Sequence, residues 1–182
     1  LGAIAGHDPK DPYTWNVPVP DYLAAMTGDI SDLKVGVIQE RVNTDAVDPD
    51  VGECIVKAIS LLGELGANVT DVSIPLIADS ASISAAVTAV DAVNVHRDGI
   101  RDYLDQYDHN IRIRLLTGSI MPAQAHQKAV RLREMLRGQI MDVLEQFDVL
   151  VMPTSPIPAS PLPTKAGVNS KGEVLQGFAG RR

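Results

Sequence analysis

Apolar positions along this chain follow two rhythms. Leu33, Val35 and Val37 alternate with Lys34 and Gly36 and run into Ile38, which predicts a strand over 33–38. From Val51 the spacing changes to threes and fours. Val51, Ile55, Ile59, Leu62 and Leu65 form one stripe along a helix. Asp48 stands where a side-chain oxygen caps the first free backbone N–H groups, and Pro49 suits the first helical position. Gly66 is placed to end that helix in a left-handed cap. Asn68 to Ile74 reads as a second strand, closed by Pro75. Strand, helix and strand in so short a space make a βαβ unit, with parallel strands and a right-handed crossover.

The second half is more helical. Asp79 to Arg97 is rich in Ala and carries Ile83, Val87 and Val90 along one side, which predicts a helix. Tyr103 to Asn110 is polar and predicts a loop, and Ile111 to Leu116 a short helix ending at Gly118. Pro122 to Gln146 has the strongest helical pattern. Ala129, Leu132, Leu136, Ile140, Val143, Leu144 and Phe147 mark its buried side, with Lys128, Arg131 and Arg137 outside it. This helix leads into Val149-Leu150-Val151-Met152, an apolar run stopped by Pro153. Such a run suits a strand covered on both faces. Proline donates nothing to a ladder, so pairing should end there.

Pro9, Pro12, Pro18 and Pro20 predict an extended surface connection over residues 7–22, followed by a helical turn at Asp21 to Met26. The expected fold class is α/β: part of a mixed, mainly parallel sheet with helices on both faces. Residues 164–182 have little apolar periodicity and are expected to be loop or disordered.

Composition narrows the function classes. The 182 residues are enough for one domain on the prior of about 100–200 residues each. The net charge of −7 argues against a nucleic-acid or anionic-membrane binder. No continuous apolar run approaches the roughly 18 residues of a membrane-spanning helix. One cysteine, Cys54, rules out an internal disulfide and fits a reducing, cytoplasmic setting.

Asp148-Val149-Leu150-Val151-Met152-Pro153-Thr154, preceded by a long Arg-rich helix, resembles the D-V-L-L-x-P-T segment of the amidase signature family. Gly6-His7-Asp8-Pro9-Lys10-Asp11-Pro12 is similar to the segment that follows that family's catalytic region. Ala92-Val93-Asn94-Val95-His96-Arg97 and Arg131-Leu132-Arg133 fall between them in the expected order. The resemblance covers about residues 1 to 163. It implies a hydrolase of carbon–nitrogen bonds other than peptide bonds, using a lysine and two serines and no cofactor. The family's serines lie in a Gly/Ser-rich stretch upstream of the Gly-His-Asp segment, and no Gly-Gly-Ser-Ser-Gly type stretch occurs in this chain. The expectation is therefore a partial amidase domain over 1–163 with a tail over 164–182. It would hold no catalytic residue and be inactive alone.

Thr154 and Ser155 follow a strand end, where open α/β sheets bind ligands. The resemblance places this region near the substrate cleft, while the physical alternative is that their hydroxyls only stabilise a turn. Neither has a neighbouring base in sequence to activate it. Arg112 and Arg114 flank Ile113, and relatives that handle carboxylate-bearing substrates place an arginine near here. Arg114 is accordingly a candidate to hold a carboxylate by a two-pronged contact, against the alternative of a solvated surface arginine. His96-Arg97 reads as favourable charge at a helix C-terminus. The histidines, 7, 96, 109 and 126, lack metal-ligand spacing.

The partner expected for the complete protein is a small-molecule amide, with no nucleic acid and no membrane. A fragment with an open sheet edge is expected to self-associate. Two other readings remain open here. One is a free-standing, non-catalytic α/β binding module. The other is part of the amidase subunit of a transfer-RNA-dependent amidotransferase.

Overall fold

The computed structural model describes residues 1–159; the expected tail at 164–182 lies outside the described residues. Among the described residues, three parallel strands form the sheet: β1 (Lys34–Ile38), β2 (Asn68–Val72) and β3 (Val149–Val151). Their order is β2-β1-β3, with Val35 opposite both Val69 and Val149. Six α-helices accompany them: α1 (Gln39–Val42), α2 (Pro49–Glu64), α3 (Ser80–Val95), α4 (Arg97–Asp102), α5 (His109–Ser119) and α6 (Ala123–Leu144). Short 3-10 turns occupy Pro75–Asp79 and Leu104–Gln106.

The βαβ unit forms as the pattern predicts. Asp48 caps α2 by accepting from the Asp50 N–H at 3.0 Å, with Pro49 in the first turn. Gly66 adopts a φ of 101°, a left-handed conformation that its missing Cβ permits. The Gly66 N–H then reaches the Gly63 carbonyl, and the Ala67 N–H reaches that of Leu62, satisfying carbonyls that the helix leaves free.

Alternation along β1 divides the core into two layers. Ile38 packs with Ile74, Ile77 and Leu136, and Leu76, Ile140, Val143 and Leu150 close around them. That face of the sheet lies under α6. Gly36 keeps it flat, since a Cβ there would stand 2.7 Å from Leu150 Cδ2 and 3.2 Å from Val72 Cγ1. Val35 and Val37, on the other face, are 0% and 2% exposed. The helix α2 connects β1 to β2 and packs against β2. Outside the sheet, α3 packs against both α5 and α6.

Several expectations need correction. Among the described residues β3 lies at one end of the strand order and its apolar run is only partly covered, with Val149 38% exposed. The short helix expected over 111–116 spans His109–Ser119, because Asp108 caps it by accepting from the Asn110 N–H. Gly118 lies inside this helix rather than after it. Its missing side chain lets α5 approach α3, since a Cβ there would stand 2.2 Å from the Ala89 carbonyl oxygen. The loop expected over 103–110 contains a 3-10 turn, and α1 and α4 carry no periodic signal of their own. The segment Pro75–Val95 is, by length and composition, apolar enough to cross a bilayer, with mean hydropathy 1.5. Single Ser, Thr and Asp residues break its run in sequence, which hides it from a search for an unbroken stretch.

Candidate functional site

All three strands are parallel, so their C-terminal ends and the connections that leave them share one edge. Three segments meet at this edge: residues 39–48 after β1, 73–80 after β2 and 152–159 after β3. The first segment ties the other two together. β1 runs directly into α1, which presents Glu40 and Arg41. The Glu40 carboxylate accepts from the Ser73 hydroxyl at 2.5 Å and from the Ile74 N–H at 3.1 Å. The Arg41 guanidinium donates to the Ile77 carbonyl and the Ser80 hydroxyl, fixing the entry to α3. Farther along, the Asp48 N–H donates to the Pro156 carbonyl at 2.8 Å, which anchors the loop after β3 to the start of α2.

Burial pushes the Glu40 carboxyl up, but the Ser73 hydroxyl and the backbone N–H groups of Ile74 and Glu40 outweigh it. The carboxyl is held below its usual range. A depressed folded-state value contributes stability that is complete above the unfolded pKa, about 4.3. That stability is lost as pH falls through the folded value. We expect the urea midpoint to drop below about pH 4.3, and Glu40→Gln to flatten that drop. Equal acid slopes for both proteins would contradict this role for Glu40.

Thr154 and Ser155 are both exposed on the strand-end loop. The Ser155 hydroxyl donates to the Ile157 carbonyl at 2.7 Å and accepts from the Ile157 N–H at 3.3 Å. This is the turn-stabilising geometry of a serine within its own loop. Arg114 stands elsewhere, on the exposed side of α5. The structure therefore brings Thr154 and Ser155 together and leaves Arg114 in the helical layer. His96 caps the end of α3, and its Nδ1 lies 3.0 Å from the Tyr107 hydroxyl, with the rings edge to face.

Two open surface clefts are lined by other residues than Thr154, Ser155 and Arg114. One, of about 460 Å³, is lined by Ile100 to Asp105 and Arg112; the other, of about 420 Å³, by residues 27–33 except Gly28, together with Asp148. Among the described residues no three His, Cys, Asp or Glu side chains gather into a metal-binding group. Sequence reasoning missed Glu40 and Arg41. The available signal was a Glu-Arg pair immediately after a parallel strand's end, which is the expected ligand edge.

Comparison with known proteins gives this edge a context. The Amidase family profile matches residues 1–176. The chain is 35% identical to a glutamyl-tRNA(Gln) amidotransferase subunit of Brachyspira hyodysenteriae, over 92% of this chain and 40% of that protein. It is 31% identical to an amidase of Pseudomonas putida, over 88% of this chain and 34% of that protein. The chain thus spans well under half the length of these relatives. Among solved structures, one described as a vestigial protein complex that reveals the origins of an s-triazine catabolic enzyme superposes with a TM-score of 0.77. It has 22% identity and covers 90% of this chain and 35% of that one. The corresponding glutamyl-tRNA(Gln) amidotransferase subunit of Thermotoga maritima superposes with a TM-score of 0.68 and 25% identity, over 92% of this chain and 36% of that one. A match over nearly the whole chain, with the parallel-strand architecture shared, establishes that this chain belongs to the amidase signature family.

Proposed function

We propose that this chain is the portion of a serine-dependent amidase that lies downstream of its nucleophile, acting on a small-molecule amide in the cytoplasm. The observation that carries this reading is the family match over residues 1–176 together with coverage of only 34–40% of two relatives. In the complete protein a serine attacks the amide carbonyl, a second serine relays the proton under control of a lysine, and backbone N–H groups stabilise the oxyanion. The acyl-enzyme is then hydrolysed. This chain supplies the strand-end wall of the cleft. Thr154 and Ser155 line it, and Arg114 receives a carboxylate-bearing substrate once the rest of the protein is in place.

The test is the protein expressed from the full open reading frame, assayed against a panel of small amides. Hydrolysis blocked by a serine-directed reagent is the expected result. A second reading is favoured by the 35% identity to an amidotransferase subunit. It predicts no release of ammonia from glutamine until a partner subunit is added. An inactive full-length protein, with or without partners, would overturn both readings.

By itself the chain is expected to self-associate. β2 and β3 are both open edges among the described residues, and Tyr13, Trp15 and Leu23 are 89%, 79% and 81% exposed. Sedimentation should show mass rising with concentration. A monomer throughout, with no binding of a hydrophobic dye, would contradict this.

A further inference from the structure

Residues 39–48, between β1 and α2, hold two distant pieces of the chain in place. At one end α1 is clamped to the residues that follow β2. Glu40 and Arg41 stand side by side and reach across together. The two Glu40 carboxylate oxygens accept from different donors, Oε1 from the Ser73 hydroxyl and Oε2 from the Ile74 N–H. The Arg41 guanidinium donates to the Ile77 carbonyl and the Ser80 hydroxyl. Each of these bonds involves a charged group, which makes it roughly twice as strong as a neutral one. The next residue, Val42, is buried, and α1 packs against the 3-10 turn that carries Ile77.

At the other end the Asp48 N–H donates to the Pro156 carbonyl at 2.8 Å. The Asp48 side chain caps α2, so this N–H is held at the start of a long helix. Between the two ends the chain is braced locally. The Asn43 N–H reaches the Gln39 carbonyl at 3.0 Å, and the Val47 N–H reaches that of Thr44 at 3.1 Å. The loop after β3 has little support of its own. β3 spans only Val149–Val151 and lies at one end of the strand order. Past it, the Ser155 hydroxyl bonds within its own turn. Among the described residues, the bond to Asp48 is the one hydrogen bond that ties residues 153–159 to another segment. The loop carrying Thr154 and Ser155 therefore stands where residues 39–48 put it.

We propose that Glu40 is a positioning residue for the wall of the amide cleft: through residues 39–48 its carboxylate sets the place of the loop that carries Thr154 and Ser155. The inference rests on the reading above, in which that loop lines the cleft. Glu40 makes no hydrogen bond to the loop itself, so its effect passes through Asp48. The position calls for a carboxylate. Ser73 and Ile74 each present a donor, and a glutamine side chain has one acceptor oxygen where glutamate has two. Glu40→Gln therefore leaves one donor unmatched. Arg41 holds α1 by its own pair of bonds, so the helix stays attached when Glu40 changes. What is lost is position rather than fold.

The first measurement is amide hydrogen exchange, read by NMR at neutral pH on the 182-residue chain. The Ala67 and Asn68 N–H groups, bonded to the Leu62 and Leu33 carbonyls at the far end of the sheet, report general loosening. Relative to these two, the Asp48 and Ile157 N–H groups should exchange at least about fivefold faster in Glu40→Gln. A residue that only stabilised the fold would speed all four alike. In the full-length protein the same substitution should raise KM at least about fivefold and leave kcat within about twofold, because a wall holds substrate without reacting with it. Ser73→Ala removes one donor and keeps the Ile74 bond. It should shift exchange and KM in the same directions by less, and it carries the test if Glu40→Gln fails to fold. Uniformly faster exchange, unchanged exchange at Asp48, or a fall in kcat at constant KM would each overturn the proposal. A full-length protein that hydrolyses no amide would instead overturn the reading of the cleft, and the exchange rates would still decide whether Glu40 places the loop.

Discussion

Replacing Ile74 by alanine is expected to lower the unfolding free energy by about 2–5 kcal/mol, the range for deleting a large aliphatic side chain in a packed core. Ile74 is 0% exposed and joins the sheet to the helices. It leaves β2 just before Pro75, and its side chain packs with Ile38, Ile77 and Leu136. Its N–H donates to the Glu40 carboxylate, so backbone and side chain both hold the strand-end edge. For a chain of this size each kcal/mol shifts the melting temperature by roughly 2–4 °C. The urea midpoint should fall while the slope stays constant. Leu61→Ala, at a position 52% exposed on α2, is the control. It should change stability by less than about 0.5 kcal/mol. An Ile74→Ala loss no larger than the Leu61→Ala change would show that this core does not hold the edge together.

Gly118→Ala should also destabilise the chain, although alanine is the better helix former by about 1 kcal/mol. The added Cβ would lie 2.2 Å from the Ala89 carbonyl oxygen and 2.8 Å from Val93 Cγ2. The first obstacle is backbone, so no side-chain rotation relieves it, and α3 and α5 must separate. Overpacking of this kind costs about 1–3 kcal/mol. Gly63→Ala supplies the opposite sign. Nothing lies within 4 Å of a Cβ there, so that variant should gain up to about 1 kcal/mol from helix propensity alone. Stabilisation by Gly118→Ala in thermal melts would contradict the close packing of α3 on α5.

The parts of the fold legible in sequence are those written in local chemistry. Asp48 and Pro49 announce the start of α2, and Gly66 its end, because caps are made from residues next to the helix they close. The stripe from Ala129 to Val143 announces α6, because its burial repeats every turn. The parallel pairing of β1 and β2 follows from the helix between them. Gly118 is ambiguous in sequence because two causes leave the same letter: a glycine that ends a helix and a glycine that admits another helix. Only the position of Ala89 separates them. The apolar run of β3 suggests cover on both faces, whereas the described residues leave it at the edge of the sheet with Val149 partly open. An apolar run alone carries no record of which neighbours supply the cover.

The site is less legible. Thr154 and Ser155 follow from the strand end and the proline after it, and the structure places them on that edge. The Glu40 and Arg41 contacts join residues more than thirty positions apart. No periodicity links them, and only the fold brings β1's exit to β2's. Arg114 is singled out by resemblance rather than by a physical signal in its surroundings.

The most direct test of the central claim is an amide-hydrolysis assay on the purified 182-residue chain at high protein concentration, with and without a serine-directed covalent reagent. If the chain supplies the cleft wall but not the nucleophile, no turnover and no covalent labelling will be seen. Turnover abolished by the reagent, with one labelled serine in this chain, would contradict the account and place the nucleophile within these residues.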